Sequence, residues 1–412
     1  MMAAVAAWGL LPLLAVAAAA EQRIDCEWFR KAIREEAGHW RAAVVTSSGF
    51  LQPSLDREWQ PVGRQTATLV SQSRLIYVLA TGYELSGDEA YLEAVSKGAD
   101  FLLEHFRDRE HGGWFYSVSP DGEVLDNSKD SYGHAFVIFG LAHAARVTGE
   151  ERFRKAALET WAEMKAHLRD PAGFIKPRTT RDFSQVRGTN SQNPMMHLFE
   201  ALLALHDATG SEAVLEEARA LADAIFGQLF QQEDGYLPEL FDEHWKPLAP
   251  ERRGYIELGH QFEWAFLLSR AVEKGFPEEY LQTGRRLLEY GMEVAYDAEE
   301  GGIFSRGDYE GDARPGPKGW WEQAELLRAL AHYAVLRNRE DLWEPFAQSL
   351  AFVQRHFIDA EHGGWFRSYQ RGVPRSVEEQ NKGSVWMVGY HVTGMYWEAL
   401  RMGQCSAAPA ER

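Results

Sequence analysis

The clearest candidates for chemistry are a histidine and a carboxylate in residues 254–268, Gly-Tyr-Ile-Glu-Leu-Gly-His-Gln-Phe-Glu-Trp-Ala-Phe-Leu-Leu. His260 and Glu263 lie three residues apart, so they share one face of a helix, and residues 264–268 continue as apolar packing. Imidazole exchanges protons near neutral pH, which suits a general acid or base. The segment therefore predicts an acid/base group at the start of a buried helix, or alternatively a hydrogen-bonded core histidine.

Comparable segments recur because the chain contains an internal repeat. A glycine followed by an aromatic or large apolar residue returns at intervals of 60 to 67 residues. Two copies, residues 110–115 and 361–366, share the sequence Glu-His-Gly-Gly-Trp-Phe. Six such glycines in even register predict an arrayed architecture. They are Gly49, Gly113, Gly173, Gly235, Gly302 and Gly364.

Each repeat unit combines two helical patterns around its glycine. Amphipathic stretches with one charged side precede the glycines, and more apolar helices follow after a short extended segment rich in turn formers. The apolar helices should form an inner ring, so we predict an all-α, closed (α/α)6 barrel over residues 21–405, with short β-hairpin loops at one end. An open helical solenoid is the alternative. The outer helices are expected near 27–46, 88–106, 150–168, 211–231, 277–295 and 339–357, and the inner helices near 66–83, 131–148, 193–208, 257–273, 318–336 and 384–401.

The polar residues of interest occupy similar places in the six units. Each lies 21 to 27 residues after its own glycine, in the first part of a predicted inner helix. In a closed barrel the starts of the inner helices ring one end of the central cavity, so these side chains should converge on one pocket. Convergent polar groups in a concave apolar pocket are typical of a ligand site. The residues are Arg74, His134, His197, His260, Glu325 and His391.

Several of these segments resemble the signature blocks of the N-acylglucosamine 2-epimerase superfamily, whose members are sugar 2-epimerases and mannose-type aldose-ketose isomerases. The blocks are Gln-Ser-Arg-Leu-Ile-Tyr around Arg74, residues 193–201, Gly-His-Gln-Phe-Glu-Trp at 259–264, Trp-Trp-Glu-Gln-Ala-Glu at 320–325 and Gly-Tyr-His at 389–391. The resemblance covers nearly all of residues 21–405, in the same order, and implies the (α/α)6 barrel.

The resemblance also implies roles for four residues. His260 and His391 would be the general acid/base pair at C2 of an open-chain sugar, and His197 would assist ring opening. Arg74 would hold the oxygen on which enediolate charge develops. The chemistry is sound by itself, because removing a proton beside a carbonyl needs a base near neutral pKa and a preorganised partner for the oxyanion. Histidines on opposite faces of C2 would allow inversion, whereas one face serving C1 and C2 would give isomerisation.

Three polar residues are predicted to support the histidines. Glu263 could orient the His260 imidazole and favour its protonated form, or make only a structural hydrogen bond. Asn193 could bind a sugar hydroxyl, or cap the helix that has Pro194 at its first position. His134 could line the pocket or pack behind it.

Three more residues complete the predicted site. Trp321 and Trp386 match positions at which the family stacks aromatic rings on sugar, with core packing as the alternative. Glu325 should accept sugar hydroxyls or pair with Arg74. His111 and His362 belong to the repeated glycine turns and are expected to be structural.

Charge and composition limit the partners. The formal net charge of −18 provides no basic surface for nucleic acid, so a neutral small-molecule sugar is the simpler partner. Neither metal nor cofactor is expected, although His260 and Glu263 have the spacing of helical metal ligands. A glycoside hydrolase would need a facing carboxyl pair, and the predicted rim holds more histidines than carboxylates. A carbohydrate-binding protein without turnover would not need three histidines.

The two ends of the chain carry separate predictions. Residues 1–20 are an apolar run ending in small residues, which is typical of a signal peptide, so the protein should be secreted or periplasmic and free of membrane after cleavage. Residues 406–412 are expected to form a disordered tail. The only two cysteines, Cys26 and Cys405, are expected to be free thiols, although closure of the barrel would bring them within disulfide reach.

The choice of reaction rests on two segments. Residues 193–197 and 132–136 look more like the monosaccharide isomerases than the cellobiose epimerases. The favoured function is therefore isomerisation of an unphosphorylated aldose at C1 and C2, with mannose and fructose as the expected pair. The alternatives are 2-epimerisation of mannose and glucose, of cellobiose, or of an N-acylglucosamine.

Overall fold

The structure, a computed structural model, describes residues 23–405. The expected signal peptide and the tail at 406–412 lie outside the described residues. Within residues 23–405, six helical hairpins alternate an outer with an inner helix, as predicted. The outer helices are α1 (Cys26–Val44), α3 (Glu89–Phe101), α5 (Glu151–Glu163), α7 (Glu212–Gln228), α9 (Tyr280–Val294) and α11 (Trp343–His356). The inner helices are α2 (Leu69–Ser86), α4 (Ser131–Thr148), α6 (Asn193–Thr209), α8 (Leu258–Glu273), α10 (Trp320–Leu336) and α13 (Tyr390–Met402), and α12 (Val377–Gln380) is a short helix in the last loop.

Burial separates the two rings of helices. The inner helix α2 is buried at every residue from Leu69 to Gly82, because it has neighbours on all sides. The outer helix α9 buries only one stripe, which includes Tyr280, Gly284 and Leu287, and exposes its charged side. This difference matches the sequence pattern, in which helices that are apolar all round belong to a core.

The ring of helices closes on itself. The last inner helix, α13, packs against both α1 and α2. Closure places Cys26 and Cys405 together in a disulfide, with their Cα atoms 5.5 Å apart. The expectation of free thiols was therefore wrong, because the barrel joins the two ends of the described chain although they are 379 residues apart in sequence.

The two ends of the barrel have different connections. Tight turns lead from inner to outer helices and contain left-handed glycines, as at Gly87, Gly149 and Gly210. Long loops lead from outer to inner helices and carry short antiparallel strands, which confirms the predicted β-hairpin loops. The strands are β1 (Ala67–Thr68), β2 (Ser117–Val118), β3 (Val124–Asp126), β4 (Lys129–Asp130), β5 (Arg178–Thr179), β6 (Val186–Arg187), β7 (Asn190–Ser191), β8 (Leu240–Phe241), β9 (Ile256–Glu257), β10 (Arg306–Gly307), β11 (Lys318–Gly319) and β12 (Ser368–Tyr369).

The last inner helix begins later than the sequence pattern indicates. Its predicted start lay near residue 384, but α13 begins at Tyr390, directly after Gly389 with φ of 74°. A Cβ at Gly389 would lie 2.3 Å from Trp40 Nε1, so the position requires glycine for space as well as for backbone conformation. Trp386 therefore lies in the preceding loop rather than in a helix. None of the described helices is both long and apolar enough to cross a membrane.

Candidate active site

A cavity of about 600 Å³ opens at the end of the barrel where the inner helices begin. The long loops surround its mouth, and side chains from the first two turns of the inner helices form its floor. Helix N-termini carry partial positive charge, so this end of the barrel favours a substrate that develops negative charge. The predicted residues that line the cavity are Arg74, Asn193, His197, His260, Trp321, Trp386 and His391.

His260, the third residue of α8, is held by a carboxylate from the loop before β8. Its Nδ1 lies 2.7 Å from Glu239 Oε2. Glu239 also accepts hydrogen bonds from Ser191 Oγ at 2.8 Å and from Gln192 Nε2 at 2.7 Å. His260 Nδ1 also lies 2.8 Å from Gln192 Nε2, which donates to Glu239. Because a carboxylate only accepts, we assign the proton of the ring to Nδ1, which leaves Nε2 as the basic nitrogen. His260 is thus arranged as a base towards the cavity.

His391, the second residue of α13, has a different carboxyl partner. Its Nδ1 lies 2.8 Å from Glu325 Oε1, on α10. Burial, with the positive charge of Arg74 and His197, lowers the pKa of His391 well below its ordinary value. Burial also raises the pKa of Glu325 to about 7. Near neutral pH this pair can therefore hold a proton on the carboxyl group while the imidazole stays uncharged.

His197, the fifth residue of α6, completes the set of three histidines. Its Nδ1 lies 3.2 Å from Glu200 Oε2, and the Tyr390 hydroxyl donates a hydrogen bond to the same oxygen. Burial lowers the pKa of His197 to about 4, so the ring is neutral at physiological pH. Its Nε2 is then free to exchange a hydrogen bond with a ligand.

Glu263 does not orient His260, contrary to the sequence-based prediction. Its Oε1 lies 4.0 Å from Nδ1 of His197, and neither of its oxygens has a hydrogen-bond partner. Burial, followed by the charges of Glu325 and Glu200, raises the pKa of Glu263 well above the ordinary value. Glu263 lies one helical turn further along α8 than His260, beneath the cavity. It is buried there because α8 has neighbours on all its faces.

Arg74 is fixed by its neighbours on both sides of the cavity. Its guanidinium donates to the Trp386 carbonyl at 3.2 Å and to the Tyr132 hydroxyl at 2.6 Å. The Cζ atom lies 4.3 Å from the centre of the Phe136 ring and 4.7 Å from that of Tyr390. Its Nε is buried without a partner, and the residue lines the cavity, so this fixed cation can stabilise negative charge on a substrate oxygen.

Aromatic rings form the walls of the cavity. The Trp321 ring lies between the two candidate acid/base residues, with its centroid 4.9 Å from that of His260 and 5.4 Å from that of His391. Trp386 is 46% exposed at the rim, so a ligand could cover it. The contact of one indole with both imidazoles places His260 and His391 in the same small cavity, as the sequence-based account requires.

Asn193 and Glu325 take positions that differ in part from the prediction. Asn193 lines the cavity, its side chain makes no capping bond, and its buried Oδ1 has no partner. Glu325 is fully buried beneath the cavity and does not pair with Arg74. It lies 3.4 Å from Arg328, whose guanidinium occupies the floor between the helices. Glu325 therefore acts on His391 rather than on a sugar.

His134 lies outside the cavity and has a structural role. Its Nδ1 contacts the Asp130 carbonyl at 2.7 Å, and its Nε2 accepts the Trp114 backbone N–H at 3.1 Å. Burial lowers the pKa of His134 to about 3. Gln261 makes the same pair of bonds two repeats further along the chain, to the Glu257 carbonyl and from the Leu237 N–H. Of the two predicted alternatives for His134, lining the pocket or packing behind it, the structure shows the second, because the side chain faces the glycine turn.

Sequence reasoning missed three residues that hold the site together. Glu239 and Glu200 supply the carboxylates for two histidines, and Tyr132 carries the hydroxyl that fixes Arg74. Glu200 had a sequence signal, because it follows His197 by three residues on the same helix face. Glu239 lies in an irregular loop 21 residues before His260 and has no such signal.

Two groups of buried side chains have the composition of a metal site. They are His197 with Glu200 and Glu263, and Glu263 with Glu325 and His391, and the ligand atoms of each group lie within 4.8 Å of one another. His260 belongs to neither, so its predicted alternative as a ligand beside Glu263 has no support in the described residues. The positive charges of Arg328 and Arg74 already act on Glu263, although burial and the neighbouring carboxyl groups outweigh them and raise its pKa. A metal ion would have to compete with both.

The chain is similar to known proteins over most of its length. A model of the N-acylglucosamine 2-epimerase (GlcNAc 2-epimerase) family matches residues 49–394. A cellobiose 2-epimerase of Bacteroides fragilis is 24% identical over 405 residues, covering 92% of this chain and 96% of that protein. A mannose-6-phosphate isomerase of Rhizobium meliloti is 29% identical over 363 residues, covering 85% and 89%. A crystal structure of D-mannose isomerase aligns with a TM-score of 0.83 at 23% identity, covering 91% and 97%. The chain belongs to the N-acylglucosamine 2-epimerase family.

Proposed function

We propose that the protein isomerises an unphosphorylated aldose at C1 and C2 through an enediolate, with mannose and fructose as the substrate pair. The observation that carries this proposal is the convergence of three carboxyl-backed histidines and one fixed arginine on a single cavity. Enolisation beside a carbonyl needs these groups, namely a base, an acid and a positive partner for the oxyanion.

His260 and His391 have different carboxyl partners, Glu239 and Glu325, which supports different catalytic roles for the two histidines. His260 Nε2 removes the proton from C2, because Nδ1 of the ring donates a hydrogen bond to Glu239. Negative charge then develops on the oxygen at C1, which the positive charge of Arg74 at the cavity wall stabilises. His391 delivers a proton from Nε2 to C1 of the enediolate and regains one at Nδ1 from Glu325, whose pKa of about 7 suits this transfer. The hydroxyl proton on O2 passes to O1, which leaves a carbonyl group at C2, and the proton taken up by His260 returns to Glu325 through solvent before the next turnover. In the reverse direction the roles exchange.

His197 acts before this proton transfer. Its neutral imidazole can accept the anomeric hydroxyl proton and release it to the ring oxygen, which opens the sugar ring. Glu200 keeps the ring oriented for both steps, since it holds Nδ1 and is itself held by Tyr390. Asn193, four residues earlier on the same helix, has an unpartnered oxygen for a sugar hydroxyl.

A second function, 2-epimerisation of a disaccharide such as cellobiose, is favoured by the size of the cavity mouth. The cavity measures about 600 Å³, and Trp386 is 46% exposed at its rim, which leaves room and an aromatic surface for a second sugar ring. The same acid/base pair would serve, provided that His260 and His391 reach opposite faces of C2.

The test is a panel of sugars incubated with the purified protein and separated by chromatography. The panel contains mannose, glucose, fructose, cellobiose, N-acetylmannosamine and mannose 6-phosphate, each with and without a chelator. Conversion of mannose to fructose, unaffected by the chelator, would support the proposal. Exclusive conversion of cellobiose, N-acetylmannosamine or mannose 6-phosphate would overturn the proposed substrate, and loss of activity restored by a divalent metal would overturn the metal-free mechanism.

We also propose that the protein works outside the cytoplasm. The Cys26–Cys405 disulfide supports this placement, because such bonds persist in oxidising compartments. The apolar run at residues 1–20 supports it from the sequence. Determination of the N-terminus of the protein from its native host tests the proposal, since cleavage after residue 20 is expected and an uncleaved cytoplasmic chain would contradict it.

A further inference from the structure

Glu257 is a cavity residue that the proposed mechanism does not use. It is the last residue of β9, directly before α8, and it lines the cavity beside Tyr255 and Trp321. The side chain is only 8% exposed, and its Oε1 has no hydrogen-bond partner. Glu239, on the same side of the cavity, has its oxygens satisfied by three donors. Glu257 therefore lines the cavity and carries hydrogen-bonding capacity that no described residue satisfies.

The surroundings of Glu257 favour its neutral form. Burial raises the pKa of this carboxyl group well above its ordinary value, and the charges of Glu322 and Glu239 add to the effect. Arg306 opposes it and is the one cation whose charge acts directly on Glu257 among the described residues. Glu322, on α10, is itself buried, and its pKa is raised by burial although His260 lies close enough to lower it. A hydrogen bond from Ser305 and the charge of Arg306 also lower the pKa of Glu322, so Glu257 and Glu322 share the positive charge of Arg306.

The packing of Glu322 shows that this carboxyl pair is built into the fold. A Cβ added to Gly319 would lie 2.2 Å from Glu322 Oε2, and one added to Gly259 would lie 2.8 Å from Glu322 Cγ. Both glycines therefore leave the space that the Glu322 side chain occupies behind the cavity wall. Glu322 Oε2 is buried without a partner. Two carboxyl groups therefore lie at this part of the cavity wall. Glu257 lines the cavity, and Glu322 is buried close enough for its charge to act on Glu257.

We propose that Glu257 is a substrate-binding residue that presents a protonated carboxyl group to a hydroxyl of the bound sugar. This inference rests on the proposed function in sugar conversion. A carboxylic acid offers one donor and one acceptor, which matches a sugar hydroxyl, whereas a carboxylate only accepts. Neither of the two groups of described residues with metal-site composition includes Glu257.

This arrangement makes sugar binding sensitive to alkaline pH. When Glu257 ionises, it loses its donor and places a second negative charge beside Glu239 and Glu322, so the KM of the enzyme should rise. The titratable and charged groups that act on Glu257 are Glu322, Glu239, Arg306 and Tyr255, and His260 acts through Glu322. Burial and the charges of Glu239 and Glu257 raise the pKa of Tyr255. Removal of the Glu322 charge should allow Glu257 to ionise at lower pH.

The experiment measures kcat and KM against pH for the wild type and three variants. Glu257→Gln keeps a neutral donor and acceptor, so below the alkaline limb its KM should stay within about threefold of the wild type, and the alkaline rise in KM should disappear. Glu257→Leu removes both functions, and its KM should rise about three- to tenfold with a smaller effect on kcat. Glu322→Gln should keep the alkaline limb and move it to lower pH.

Two outcomes would overturn the inference. One is an alkaline limb in Glu257→Gln identical to that of the wild type, and the other is an unchanged KM in folded Glu257→Leu. Circular dichroism of each variant checks folding, and Glu257→Gln keeps the test decisive if the leucine variant does not fold. Failure of the proposed function is distinguishable, because the wild type would then convert no sugar in the panel at any pH.

Discussion

Replacement of Glu239 by glutamine should disable the enzyme while leaving it folded. Glu239 is 4% exposed and accepts from Ser191, Gln192 and His260 at 2.7 to 2.8 Å. A glutamine keeps one oxygen and turns an NH2 group towards at least one of these donors. That donor loses its acceptor, which costs about 1–3 kcal/mol of unfolding free energy. His260 also loses the carboxylate that keeps its proton on Nδ1.

The kinetic consequence follows from the role of His260 as a base. General base catalysis is worth about 10² to 10⁴ in rate, so kcat of Glu239→Gln should fall by that factor while KM changes by less than about threefold. The assay is the rate of mannose conversion, with urea unfolding for stability. Glu243→Gln, an exposed change four residues further along the chain, is the matched control and should be neutral. Wild-type kcat in Glu239→Gln would refute the assigned hydrogen-bond role.

Three further predictions concern other parts of the structure. Breaking the disulfide by Cys26→Ser should lower the unfolding free energy in urea by about 2–5 kcal/mol, with kcat retained, because the bond closes a very long loop. His134→Gln should keep wild-type activity. When the pH is lowered from 7 to 5, the unfolding free energy of the wild type should fall by about 2 kcal/mol more than that of the variant. The reason is that the folded-state pKa of His134, about 3, lies below the unfolded value of 6.5, so protonation of the unfolded chain destabilises the fold as pH falls. Trp386→Ala should raise KM about two- to tenfold and change kcat little, measured by initial rates. Unchanged stability of Cys26→Ser would contradict the first prediction, and loss of activity in His134→Gln would contradict the second. An unchanged KM in Trp386→Ala would contradict the third.

The architecture was predictable because the signal is repeated. Each hairpin contains a glycine turn. A single Gly-aromatic pair carries no information, but six such turns at even spacing predict six structural units. The helix patterns add a second, independent signal, since inner helices are apolar on all sides and outer helices on one. The error at the start of α13 has a local cause, because Gly389 breaks the helix after a run that looks helical.

An apolar pattern on all sides identifies the inner helices in the sequence. The same pattern does not show which neighbours the polar side chains of these helices contact. His260 and Glu263 share a helix face, but α8 has neighbours all round, so sharing a face does not imply contact. Glu263 meets His197 of α6 instead. Partners such as Glu239 come from loops whose path the sequence pattern does not determine. Only the three-dimensional structure brings these groups together.

The position of His134 was within reach of the sequence. Counted from the helix start, His134 is the fourth residue of α4, and Gln72, Gln261 and Gln323 are the fourth residues of α2, α8 and α10. Each accepts a backbone N–H from a residue beside the glycine turn. Counting from the glycine instead of the helix start gave His134 the wrong neighbours.

The most direct test of the central claim is the fate of the C2 hydrogen. Mannose incubated with the enzyme in D2O, without added metal, should acquire deuterium at C1 or C2 of the product or recovered substrate, observed by NMR. His260→Gln and His391→Gln should each slow this exchange at least about 10²-fold while still binding sugar, and the double variant should be little slower than the slower single one. Complete retention of the original hydrogen in rapidly formed product, or full exchange in both variants, would contradict proton transfer by this histidine pair.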